Sequence, residues 1–146
     1  MRLSVQSAPF DAAATLAGFG AGRRDVGAVV SFAGLVRDDS GTLEALEIEH
    51  YPGMTEAAIG AMMAEATARW QLQDCLVIHR HGRLAPGEPI MMVATAARHR
   101  AEAFAAAEFL MDYLKSRAPF WKRELTAQGA AWVAAKASDE DALTRW

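Results

Sequence analysis

Polar and apolar residues alternate from Arg2 to Gln6, which predicts a short strand. Asp11 stands before an alanine-rich run to about Phe19, the pattern of a helix capped by an aspartate; Gly20 and Gly22 break it. The β-branched, apolar run Val26 to Phe32 predicts a buried strand. Gly34 predicts a bend, and Asp38-Asp39-Ser40-Gly41 a turn. Alternation returns from Leu43 to Tyr51, with Leu46, Ile48 and His50 on one face and Glu47 and Glu49 on the other. Pro52-Gly53 is a turn, and Thr55 is the expected N-cap of a helix to about Trp70. Its apolar stripe is Ile59, Met62, Met63, Ala66 and Trp70.

Strands over Cys75 to His81 and Pro89 to Thr95 flank a turn containing Pro86-Gly87. A long helix is predicted from about His99 to Arg117, its stripe formed by Ala103, Phe104, Ala107, Leu110, Met111 and Leu114. Pro119 ends it. Phe120 to Leu125 reads as another strand, and the tail from Ser138 as a short helix capped by that serine. The order β-α-β-β-α-β, without repeats or linkers, predicts an α+β fold: one domain over residues 1–146, a mixed or antiparallel sheet and two main helices.

A length of 146 residues with 52% hydrophobic and 23% charged residues supports a globular core and excludes disorder. The net charge of −3 argues against a general nucleic-acid binder, though not against a local basic pocket. No apolar stretch approaches the ~20 residues needed to span a bilayer, and the N-terminus lacks a signal-peptide pattern. The single cysteine, Cys75, excludes an internal disulfide and points to a reducing compartment, so a cytoplasmic protein is expected.

Basic residues gather in one stretch. Arg98, His99 and Arg100 open the long helix, Lys115 and Arg117 close it, and Lys122 and Arg123 follow on the next strand. Lys115 falls beside the edge of the apolar stripe, one turn after Met111. A strand returning after Pro119 passes near that helix end, so Lys115 and Lys122 are candidates to share a pocket. The helix start, with His99 and Arg100, suits an anion. Arg37 follows an apolar strand, a common place for ligand contacts. The plainer reading of all these cations is a solvated face. His79 and His81 share a strand face, but no further ligands complete a pattern, so no metal is expected. Glu47 and Glu49 read as a charged outer face. Cys75 reads as a buried core residue rather than a sulfur carrier, and the glycines form no phosphate loop.

Several runs together carry a resemblance: Phe32-Ala33-Gly34-Leu35-Val36-Arg37, Glu49-His50-Tyr51-Pro52-Gly53-Met54, His99-Arg100, Met111-Asp112-Tyr113-Leu114-Lys115, and Ala118-Pro119-Phe120-Trp121-Lys122-Arg123-Glu124. From about Gly27 onward the chain resembles the catalytic, large subunits of molybdopterin synthases.

The resemblance implies an α/β-hammerhead-like fold and a sulfurtransferase that needs no cofactor. Its substrate would be cyclic pyranopterin monophosphate, which receives two sulfurs to become molybdopterin. The sulfur would come as a thiocarboxylate on the C-terminal glycine of a small ubiquitin-like subunit. Two large subunits would form the central dimer of a heterotetramer. By the same resemblance Lys115 and Lys122 match catalytic lysines. Val36, Arg37, His99, Arg100, Arg123 and Glu124 match positions around the substrate. Leu35 departs, since some members carry a lysine there. Two anions meeting in one cavity require cationic donors, and acyl chemistry requires an oxyanion partner and a proton carrier, roles that lysine can fill. Lys115 is expected to be the main acid–base or oxyanion-stabilising group, with Lys122 orienting the thiocarboxylate or sharing proton transfer. Arg37, His99 and Arg100 are expected to converge on the phosphate, within one chain or across a dimer. The alternatives are a non-catalytic pterin- or anion-binding module and a coenzyme-A or nucleotide transferase.

Overall fold

A computed structural model describes Met1–Trp146. Eight strands form two four-stranded sheets where the sequence pattern predicts one. The first contains β1 (Arg2–Gln6), β2 (Ala28–Leu35), β4 (Asp74–Arg80) and β6 (Pro89–Ala97) in the order β1-β4-β6-β2. Only the β1–β4 pair is parallel. The second contains β3 (Ala45–His50), β5 (Gly82–Leu84), β7 (Phe120–Thr126) and β8 (Gly129–Trp132) in the antiparallel order β5-β3-β7-β8. The α+β expectation therefore holds, with the mixed and the antiparallel pairings segregated into separate sheets. Strands β5 and β8 span three and four residues, too short for a period to stand out.

The two long helices, α2 (Met54–Trp70) and α3 (Arg100–Ser116), cover one face of the first sheet. The short α1 (Ala12–Ala17), capped by Asp11 as expected, lies over the other face. Coverage on both sides explains why β4 is a continuous apolar run: Cys75 and Val77 join the core under the long helices, whereas Leu76 and Ile78 join the core under α1. A smaller core of Val36, Leu46, Ile48 and Leu84 sits under the second sheet. The chain ends in α4 (Ala137–Ala142) and a 3-10 turn, Leu143–Arg145. No helix is long and apolar enough to cross a membrane.

Local details depart from the pattern for physical reasons. Strand β2 runs through Gly34, and the irregularity is a register shift between Gly34 and Leu35. A Cβ at Gly34 would lie 3.2 Å from the Met91 side chain, a tight fit at the point where the strand shifts register. Thr55 does not cap α2. Gly53 takes that position, with its N–H donating to the Glu56 carboxylate at 2.6 Å, while the buried Thr55 hydroxyl accepts from the Tyr51 N–H at 3.1 Å. The N-cap of α4 is Lys136 rather than Ser138. Phe104, expected on the buried stripe of α3, is 63% exposed, and Phe109 is buried instead.

Candidate active site

Strand β7 reverses the chain after Pro119, so its first residues run back beside the end of α3. Lys122 lies opposite Ile48 in the β3–β7 register, with Phe120 and Glu124 as its neighbours on the same face. Lys115, on the last turn of α3, and Lys122, on β7, line one groove of about 400 Å³ with Phe120, Trp121, Trp132 and Asp139. The groove unites the two lysines singled out in the sequence.

The two are not equivalent. Lys115 is exposed, whereas Lys122 is half-buried. Burial first, and then the Lys115 cation, hold the Lys122 ammonium below its ordinary range, against the opposing pull of Asp139. Under the groove the His79 ring stacks on Phe120, 3.8 Å between centroids. Burial and then the Lys122 charge push its pKa down to about 3, so the ring is neutral. Its Nδ1 lies 2.9 Å from the Arg80 carbonyl, which can only accept, so Nδ1 carries the proton. His79 is thus an uncharged floor to the lysine site, and His81 faces His50 with 4.4 Å between ring centroids. No sequence signal marked Asp139 as a lining residue. It reaches the groove because the tail folds back, with Ser116 Oγ donating to the Asp139 carbonyl at 2.8 Å and Arg117 pairing with Glu140 at 3.0 Å.

Arg37 and Glu124 share a second hollow of about 240 Å³, farther along the Lys122 face of β7. Glu124 is two residues from Lys122, about 7 Å along a strand. The Arg37 side chain is exposed and pairs with Asp39 at 3.0 Å. Two of the residues expected around the substrate, Val36 and Arg123, have their polar groups engaged within the chain. Val36 is buried in the small core, and its N–H and C=O are both taken, by the Glu88 carbonyl at 2.9 Å and the Gly87 N–H at 2.8 Å. The turn therefore holds Val36 in place directly before Arg37. Arg123 projects from the opposite face of β7, where it bonds Glu47, lies 3.7 Å from Glu49 and sits over the Trp132 ring.

His99 is the N-cap of α3 and Arg100 its first residue. His99 lines a third hollow of about 490 Å³ with Asp25, Arg69, Gln73, Arg98 and Glu102. This hollow lies at the Ala28 end of β2, since Ala28 pairs with Ala97, whereas Arg37 follows the Leu35 end. The length of β2 separates them, about 25–30 Å at the rise of a strand. Within one chain, then, Arg37 does not converge with His99 and Arg100.

Cys75 is fully buried and its thiol is pushed up to about 12, chiefly by that burial. An inert thiol carries no sulfur in transit. In the sulfurtransferase assay that the resemblance implies, Cys75→Ser is expected to keep full sulfur transfer from a preformed thiocarboxylate donor, with some loss of thermal stability because a buried hydroxyl needs a partner. A folded but inactive Cys75→Ser protein in that assay would contradict this.

A family model described as MoaE protein matches residues 5–117. A curated relative from Cereibacter sphaeroides, named molybdopterin synthase catalytic subunit, is 70% identical over 146 residues and covers 100% of both chains. Among solved structures, the molybdopterin biosynthesis MoaE protein from Burkholderia ambifaria is 48% identical. It covers 99% of this chain and 97% of its own, with a TM-score of 0.84. A molybdopterin synthase from Staphylococcus aureus is 27% identical, covers 90% and 96%, and has a TM-score of 0.80.

Proposed function

Because this chain belongs to the MoaE protein family, we propose that it is the catalytic subunit of a molybdopterin synthase. In this role it moves two sulfurs from a small partner's C-terminal thiocarboxylate to cyclic pyranopterin monophosphate. The observation that carries the reading is the groove in which Lys115 from α3 and Lys122 from β7 converge. The relatives' name, a catalytic subunit, supports the existence of a second subunit. The free, buried cysteine suits a reducing compartment, and we place the reaction in the cytoplasm.

The two lysines divide the work. Once a sulfur is bonded both to the pterin and to the glycine acyl carbon, water must attack that carbon to release the sulfur on the pterin and a carboxylate on the glycine. The attack creates an oxyanion and requires proton movement. Lys115 is the more exposed cation and stabilises the oxyanion. Lys122, held below its ordinary range by burial and by Lys115, gives up and regains a proton more readily and serves as the proton carrier.

Arg37, His99 and Arg100 form one phosphate site between two copies of the chain. Strand β2 is an edge strand of eight residues without a charge, and Val29, Phe32 and Leu35 on it are exposed, as is Phe104 on α3. A long, apolar, uncharged edge is poorly suited to solvent and well suited to pairing. Two copies joined by antiparallel β2 edges about a two-fold axis set the Leu35 end of one strand beside the Ala28 end of the other. Arg37 then approaches the His99–Arg100 end of the second copy.

The test is turnover. The purified chain, mixed with a small partner bearing a C-terminal thiocarboxylate and with cyclic pyranopterin monophosphate, is expected to form the dithiolene product. Arg100→Ala is expected to weaken affinity for the cyclic phosphate, and added salt to weaken the wild type in the same direction. Substrate binding without turnover would make the chain a non-catalytic pterin-binding module.

A further inference from the structure

Arg80, the last residue of β4, is a buried guanidinium, 4% exposed, and lies outside the grooves described above. Burying a cation is costly unless its donors are used. Here Nε and Nη2 donate to the Ser7 carbonyl at 3.3 and 3.1 Å, and Nη1 donates to the Pro89 carbonyl at 3.1 Å. The Glu88 carboxylate stands 3.5 Å away. The fork therefore ties the segment leaving β1 to the start of β6 and to the turn before it.

That turn is what holds the backbone ahead of Arg37. The Ala85 N–H donates to the Glu88 carboxylate at 2.6 Å, which closes the turn. Gly87, at φ +85°, adopts the left-handed conformation that suits glycine. The turn then grips Val36 from both sides: the Val36 N–H donates to the Glu88 carbonyl and the Gly87 N–H to the Val36 carbonyl. The regular β2–β6 ladder has already shifted register at Gly34/Leu35, so Val36 depends on the turn for its place. Arg37 follows directly, and its exposed side chain is paired only with the equally exposed Asp39. Its location is thus set through the backbone.

We propose that Arg80 is a positioning residue for Arg37: its fork on Pro89 and Glu88 holds the 85–88 turn against Val36 and so aims Arg37 at the anionic substrate. The inference rests on the reading that Arg37 contacts that substrate. Arg80 touches no reacting group itself. Lysine in its place keeps the charge but cannot span the Ser7 and Pro89 carbonyls with a planar fork.

The test measures KM for the cyclic phosphate and kcat in the reconstituted synthase for Arg37→Ala, Arg80→Lys and the double variant. Arg37→Ala is expected to raise KM about tenfold, the scale of one charge-assisted contact. Arg80→Lys is expected to raise KM about threefold to tenfold by the same measure, with kcat nearly unchanged. In the Arg37→Ala background, Arg80→Lys should add no further rise, because both changes remove one interaction. A merely structural role predicts instead an equal multiplication of KM in both backgrounds, and that result overturns the proposal, as does a wild-type KM for folded Arg80→Lys. If Arg80→Lys does not fold, Glu88→Gln, which weakens the same link from its more exposed side, must show the same Arg37-dependent rise; a wild-type KM there overturns the proposal equally. An unchanged KM in Arg37→Ala alone removes the underlying role of Arg37, a failure distinct from that of Arg80.

Discussion

Lys115→Ala is expected to slow product formation by about 100- to 10,000-fold, the range for loss of one positioned acid–base or oxyanion group. The fold should survive. Lys115 is exposed on the last turn of α3, while the neighbouring core positions Leu110 and Leu114 are untouched, so truncation opens no cavity. Near wild-type single-turnover rates in a protein with unchanged circular dichroism would refute the assignment. The same variant carries a second readout. The Lys115 charge is one of the causes that hold Lys122 below its ordinary range. Removing it lets the Lys122 pKa climb, so the residual activity should shift its pH profile upward. Lys115→Arg retains the cation and should leave that profile closer to wild type.

The second large effect concerns the phosphate site proposed between two copies. Arg37→Ala and Arg100→Ala proteins should each show strongly weakened substrate use as separate homodimers. Mixing them after dissociation should restore about a quarter of the sites, since random pairing makes about half the dimers mixed and each mixed dimer rebuilds one of its two sites. A further variant, Phe32→Glu, places a charge on the exposed β2 edge and should yield monomers by sedimentation, with the loss of substrate affinity seen for Arg100→Ala. If mixed samples recover nothing although mixed dimers are detected, Arg37 and Arg100 do not act in one site across the interface.

The lysine groove was legible along the chain. Helical rotation puts Lys115 at the edge of the α3 stripe, Pro119 forces the chain to leave the helix, and a strand starting at Phe120 returns past it. Strand alternation alone also separates Arg123 from Lys122 and Glu124. The resemblance grouped all three, and the observed ion pairs of Arg123 with Glu47 and Glu49 follow the alternation.

Local pattern likewise determined the two long helices and the main strands, because amphipathic period and turn residues are properties of neighbouring positions. The exposure of Phe104, the neutral His79 beneath Lys122, the arrival of Asp139 from the tail and the separation of Arg37 from His99 were decided only in three dimensions. Each depends on which distant segments pair and in what register. The β2–β6 ladder is the plainest case: its antiparallel register sends Arg37 and His99 to opposite ends of one strand. Residues of either type at those positions would fit the local pattern equally well, and only long-range pairing places the two basic segments at opposite ends of one strand.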